Sequence, residues 1–146
     1  MQTALGTTPS SELMRDSHEE QAHILVVDDS ATVREQVRRI LVKAGYRVST
    51  AQNGREAWNL LRTRSYDLLL SDVDMPQMNG IELVTKVRGD ALLERMHIVL
   101  LSYKDRPEDR QRGLDAGADY YLTKGSFQNE TFLQAIVDLI GKGEPQ

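Results

Sequence analysis

The chain of 146 residues contains no cysteine, so disulfides and thiolate-bound metals are excluded, and a reducing cytoplasm fits. No run approaches the ~20 apolar residues that span a bilayer, and the start lacks the charged-then-apolar pattern of a secretory signal. Membrane insertion is therefore not expected. Basic residues form no stripe: 18 Lys and Arg stand against 22 Asp and Glu, for a net charge of −4, which argues against nucleic acid as a partner. The densest basic group, Arg34, Arg38 and Arg39, lies among helical apolar positions and reads as a solvated helix face. No internal repeat is visible. The apolar fraction of 40% and charged fraction of 27% are those of an ordinary globular protein. A chain of this length makes one domain that buries roughly 68–70% of its unfolded surface.

Residues 1–21 are poor in large apolar side chains and rich in Ser, Thr, Glu and Gln, and read as a tail or linker in which Ser10–Glu20 has weak helical character. Residues 22–141 read as the folded domain and 142–146 as a C-terminal tail. From Ala22 onward, strand and helix patterns alternate about five times, the signature of a parallel sheet covered on both faces. The runs His23–Val27, Leu68–Ser71 and His97–Leu101 are nearly all apolar, as doubly covered strands should be. Tyr46–Ala51 and Tyr120–Thr123 complete five strands.

The first helix is capped by Ser30, turns Val33, Val37, Ile40, Leu41 and Ala44 to one face, and stops at Gly45. Asn53 caps the second, with Ala57, Leu60 and Leu61 inward and Trp58 in the packing. The third spans about Gly80–Arg88, and the fourth about Pro107–Ala116, with little beyond Leu114 to bury. Such a weakly anchored helix shifts at low cost. The last, about Ser126–Ile140, carries Phe132, Leu133, Ile136, Val137 and Ile140 on one stripe.

Four of the strands end in chemistry. His23–Val27 runs into Asp28 and Asp29, Leu68–Leu70 through Ser71 into Asp72, His97–Leu101 into Ser102, and Tyr120–Thr123 into Lys124. Each alone has an ordinary reading: helix N-terminus complements for Asp28 and Asp29, a turn residue for Asp72, a loop-satisfying hydroxyl for Ser102, a solvated lysine for Lys124. If those runs are neighbouring parallel strands, all four fall along one edge at the strands' carboxyl ends, where open α/β sheets bind ligands. Crowded carboxylates there cost stability unless a cation is present.

With the acidic pair Asp28–Asp29, the segment SDVDMPQMNG around Asp72, and Ser102, Tyr121 and Lys124, the chain resembles the receiver domains of two-component response regulators over about residues 22–141. The intervals of 30 residues from Asp72 to Ser102 and 22 from Ser102 to Lys124 match that family. The segments DRPEDRQRGLDAGADYYLTKGSF and VREQVRRIL are further similar to receivers of chemotaxis-type hybrid histidine kinases. The resemblance implies a flavodoxin-like, doubly wound α/β fold: a five-stranded parallel sheet in order 2-1-3-4-5 with five helices. It implies that Asp72 accepts a phosphoryl group from a histidine kinase. Mg²⁺ would sit on Asp28, Asp29, Asp72 and the backbone carbonyl of Asp74, an oxygen set that suits it. Lys124 would bind a phosphoryl oxygen, and Ser102 would hydrogen-bond the attached group. The movement of Ser102 would make room for the ring of Tyr121, relaying the state to a face formed by the fourth helix, fifth strand and last helix. A downstream protein or a second copy would dock there. The protein would be a cytoplasmic, self-phosphorylating acceptor rather than a turnover enzyme. With no effector segment after Lys142, it would act by docking or belong to a longer hybrid kinase.

Some residues depart from the family pattern. Ser102 replaces the commoner Thr, and Tyr103 stands where a small residue is usual, narrowing access to Asp72. Gly125 replaces the frequent Pro after Lys124, and a non-proline cis bond there would cost ~3 kcal/mol. Asp74 and Lys104 are expected to pair across the mouth and slow attack by water. Two other readings compete. LLLSDVDMP also resembles the D-x-D signature of haloacid-dehalogenase-type phosphatases, with Asp72 as nucleophile and Asp74 as general acid/base. That motif normally opens its fold, and its second acidic cluster follows the nucleophile, whereas here a strand–helix–strand–helix pattern and the acidic pair precede Asp72. The other reading is an unphosphorylated interaction module, favoured by Tyr103 and Gly125.

Overall fold

The computed structural model describes residues 21–125 and 130–143. In chain order the elements are β1 (His23–Val27), α1 (Ala31–Lys43), β2 (Arg47–Ala51), α2 (Gly54–Thr63), β3 (Leu68–Asp72), α3 (Gly80–Arg88), β4 (His97–Ser102), α4 (Pro107–Ala116), β5 (Tyr120–Thr123) and α5 (Glu130–Ile140). The strands form one sheet in the order β2-β1-β3-β4-β5, with every pairing parallel. That is the doubly wound arrangement expected from the sequence.

Period-2 alternation splits each central strand between two cores. Leu25, Val27, Leu69, Ile98 and Leu100 face α2 and α3 with Ala57, Leu61, Leu83, Val84 and Val87. Ile24, Val26, Leu68, Leu70, Val99 and Leu101 face α1 and α5 with Val33, Val37, Leu41, Phe132 and Ile136. The helix starts follow local chemistry. Ser30 Oγ accepts from Val33 N, Asn53 caps α2 through Glu56 N, and Asn79 and Glu82 form a reciprocal capping box on α3.

The structure corrects several sequence expectations. β2 begins at Arg47, because Tyr46 turns its buried ring to the core and donates its hydroxyl to the Gly141 carbonyl at 2.5 Å. β3 and β4 each run one residue further, to Asp72 and Ser102, which extend the ladder. Ser126–Asn129, the expected first turn of the last helix, lie outside the described residues. Leu114 does not anchor α4. It is 38% exposed, and the buried positions of that helix are Asp109 and Gly113. Gln21, read as the end of the tail, is buried and donates to the Gly45 carbonyl at 2.9 Å.

Candidate functional site

Register sets the site. Val27 pairs with Ser71, so Asp28 and Asp72 each lie one step beyond at the same sheet edge. Asp72 pairs with Leu101, and Ser102 with Thr123, which puts Ser102 and Lys124 on that edge as well. One carboxylate oxygen each of Asp28, Asp29 and Asp72 lies within 4.8 Å of the others. Lys124 Nζ bridges two of them, 2.7 Å from Asp28 and 3.1 Å from Asp72. Asp28, Asp72 and Lys124 are buried and Asp29 is exposed.

Three carboxylates and one ammonium leave two negative charges uncompensated. Burial, then the neighbouring Asp28, push the Asp72 carboxyl up to about 6, with Lys124 pulling the other way. Burial alone would depress Lys124, but its hydrogen bonds to Asp28 and Asp72 outweigh that, and its pKa is raised. An all-oxygen, doubly negative cluster of this kind fits a hard divalent cation.

The supporting contacts are partly ones the sequence did not disclose. Asp28 accepts from Ser30 N at 2.9 Å, and its carbonyl accepts from the Arg34 guanidinium at 2.6 Å. Arg34 is thus half-buried behind the acidic pair rather than on a solvated face, while Arg38 and Arg39 pair with Glu35 at 2.7 and 3.0 Å. Ser71 Oγ donates to the Asp72 carbonyl at 2.8 Å. A Cβ on Gly80 would collide with that same carbonyl, so glycine lets the start of α3 close on the end of β3. Between them Gln77 and Met78 take positive φ of 60° and 119°, conformations that cost a non-glycine residue about 1–3 kcal/mol and concentrate at functional loops.

Above the acidic cluster, Tyr103 is 75% exposed and its ring centroid lies 4.9 Å from Lys124 Nζ. Lys104 Nζ and Asp74 Oδ1 approach to 3.4 Å across the mouth, both half-exposed. Ser102 is fully buried, and its hydroxyl accepts from Lys104 N at 3.0 Å. Tyr121, also buried, donates its hydroxyl to the Lys104 carbonyl at 2.8 Å. The two switch candidates therefore both bond the backbone of Lys104, one at its N–H and the other at its carbonyl. No peptide bond among the described residues, Lys124–Gly125 included, is cis.

The sequence pattern of the response regulator receiver domain matches residues 24–137. The chain belongs to that family. Among proteins it is similar to, a gliding motility regulatory protein from Myxococcus xanthus is 40% identical over 113 residues, covering 77% of this chain and 14% of its own length. Other matched response regulators are spanned over about half, 52%, of theirs. The chemotaxis protein CheY4 of Vibrio cholerae is 38% identical with a TM-score of 0.76, over 82% of this chain and 98% of that one. Response regulator TrrA from Thermotoga maritima, solved in complex with Mg²⁺–BeF, is 31% identical with a TM-score of 0.73, over 82% of this chain and 99% of that one. A receiver domain is a signalling module, the phosphoacceptor of two-component systems. Among the described residues no helix is long and apolar enough to cross a membrane.

Proposed function

We propose that Asp72 is the phosphoacceptor of this receiver, taking the phosphoryl group from a phosphohistidine of a histidine kinase. A carboxylate oxygen of Asp72 forms the new bond to phosphorus while the phosphorus–imidazole bond breaks, leaving an aspartyl phosphate. The observation that carries this is the clustering of the Asp28, Asp29 and Asp72 oxygens within 4.8 Å, with Lys124 at 3.1 Å from Asp72. Lys124 orients Asp72 before transfer and afterwards serves as donor to a phosphoryl oxygen. Mg²⁺, held by Asp28, Asp29, Asp72 and the Asp74 backbone carbonyl, would offset charge on the transferred group. The doubly negative cluster supports that assignment, as does TrrA, a relative solved with Mg²⁺–BeF. Ser102 donates its hydroxyl to the attached group, and Tyr121 carries the change to α4, β5 and α5, the surface for a downstream protein or second copy. Tyr103, Asp74 and Lys104 set access to Asp72.

The domain proposed at residues 22–141 undergoes one phosphorylation and self-hydrolysis rather than turning over substrate, and it works in the cytoplasm. The likeness to CheY4 supports a chemotaxis-type pathway. Incubation with acetyl phosphate and Mg²⁺, followed by intact mass, tests the reading. One added phosphoryl group, lost in Asp72→Asn, is expected; no adduct on the wild type would overturn it. Sustained release of product from p-nitrophenyl phosphate would instead indicate a phosphatase.

A further inference from the structure

Tyr121 is held by more than its burial in the core. Its ring packs against α4 at Gly113, where an added Cβ would lie 2.7 Å from Tyr121 Cδ2 and 3.0 Å from Leu100 Cδ1, so only a glycine admits the ring there. Its hydroxyl donates to the Lys104 carbonyl. Among the described residues, the Arg110 guanidinium engages Tyr121 twice. The guanidinium carbon stands 5.5 Å from the ring centroid, and NH1 donates to the Tyr121 carbonyl at 2.7 Å. The cation thus covers the ring from α4 while a hydrogen bond fixes where α4 lies against β5. The backbone of Arg110 itself donates to the Arg106 carbonyl in the first turn of that helix.

We propose that Arg110 is a positioning residue: it clamps Tyr121 in its buried orientation, ties that orientation to the placement of α4, and so favours the form of the domain that accommodates a phosphoryl group on Asp72. This rests on the switch reading given above. Two independent contacts from one side chain converge on the residue that is to move. Arginine suits both, because its planar guanidinium covers an aromatic face while a peripheral N–H reaches a carbonyl, which an ammonium does less well. If the buried ring and the phosphoryl group favour the same conformation, each raises the population the other needs. Loss of the clamp should then weaken binding at Asp72, although Arg110 touches no atom of the acidic cluster.

The test uses the full chain labelled with 3-fluorotyrosine, the Tyr121 resonance being assigned with Tyr121→Phe, and beryllofluoride with Mg²⁺ as the phosphoryl probe. In Arg110→Ala the Tyr121 resonance should move toward its solvent-exposed value, and beryllofluoride affinity should fall by about two- to fivefold, the worth of a partly exposed cation–π contact. Arg110→Gln, which keeps a donor for the carbonyl, should move the resonance less, and Arg110→Lys should restore part of the affinity. In a Tyr121→Ala background, Arg110→Ala should change affinity no further, since the two act as one unit. An unmoved Tyr121 resonance in all three Arg110 variants overturns the clamp. A moved resonance with unchanged affinity overturns the coupling, and additive losses in the double variant do the same. If the wild type fails to bind beryllofluoride, the phosphoacceptor reading is what falls, while the fluorine signal still decides whether Arg110 holds the ring.

Discussion

Helices α1 and α4 both follow strands that end at the acidic edge, yet they are held to the sheet by opposite means. α1 sinks Val33, Val37 and Leu41 into a core shared with Phe132 and Ile136 of α5. α4 buries one carboxylate, paired with Arg106, and one glycine, and leaves Leu114 exposed. The apolar area removed from water at ~25 cal/mol per Å² is therefore large on one side and small on the other. The acidic pair rides on the loop leading into the firmly packed helix, so its geometry is fixed. The tyrosine of the proposed switch lies against the helix with few apolar anchors, so on the function proposed above a modest change at Asp72 would be enough to move it.

The sharpest way to break this contrast is to truncate both sides. Leu41→Ala, at a fully buried anchor of α1, should cost about 2–5 kcal/mol of folding stability by denaturant unfolding, whereas Leu114→Ala should stay within ~0.5 kcal/mol. Comparable losses would mean α4 is anchored after all.

Next comes the charge that the fixed side carries. The Asp72 carboxyl is raised from 3.8 to about 6 by burial and by Asp28. Below pH 3.8 it is protonated folded and unfolded alike and costs nothing. Between 3.8 and about 6 the unfolded chain alone ionises, so stability falls as pH rises through that window, by up to about 3 kcal/mol in the absence of metal. Asp72→Asn should consequently leave stability near wild type at pH 4 and raise it by about 1–3 kcal/mol at pH 7.5 in EDTA. An equal effect at both pH values would dismiss the strained-carboxylate account.

Smaller effects sharpen the mobile side. Gly113→Ala forces a methyl against Tyr121 and Leu100 and should cost about 1–3 kcal/mol, a typical overpacking loss, with the Tyr121 ring displaced in NMR spectra. At the acidic pair, Asp29→Asn removes an exposed carboxylate that helps keep Asp72 high. It should raise the metal-free melting temperature slightly and weaken Mg²⁺ binding by at least about tenfold in calorimetry, because hard cations are held by the number of charged oxygens. A metal-free melting temperature identical to wild type would count against crowding.

This contrast also marks where the sequence was readable. Strands covered on both faces announce themselves as unbroken apolar runs, while the order and register that align Asp28, Asp72, Ser102 and Lys124 came from the family resemblance and then from the sheet itself. α1 was equally plain, because its anchors are side chains with helical spacing. The bounds and weak anchoring of α4 were equally legible, and only Leu114 as its buried residue was not, because the contact at Gly113 is the absence of a side chain, which periodicity cannot register. Arg34, Ser71 and Arg110 escaped for a related reason. Each makes its decisive hydrogen bond to a backbone carbonyl, of Asp28, Asp72 and Tyr121 respectively, and carbonyls carry no sequence mark.

The mouth of the site offers the finest discrimination, since it lies between the two regions and belongs to neither. Lys104 reaches Asp74 at 3.4 Å with both side chains more than half exposed, so the pair contributes little to folding. On the function proposed above, an ammonium and a carboxylate joined beside the acidic cluster would hinder the approach of a nucleophilic water to the aspartyl phosphate. The backbone of the same lysine is gripped by Ser102 and Tyr121, so the side chain is presented from a fixed base. Lys104→Ala should shorten the lifetime of the aspartyl phosphate by about two- to fivefold, the kinetic equivalent of ~0.5–1 kcal/mol, with the melting temperature nearly unchanged. Asp74→Ala should act in the same direction, and the double variant should lose no more than the larger single loss, because one bridge is being removed either way. An unchanged lifetime in Lys104→Ala would leave Tyr103 as the remaining guard over Asp72.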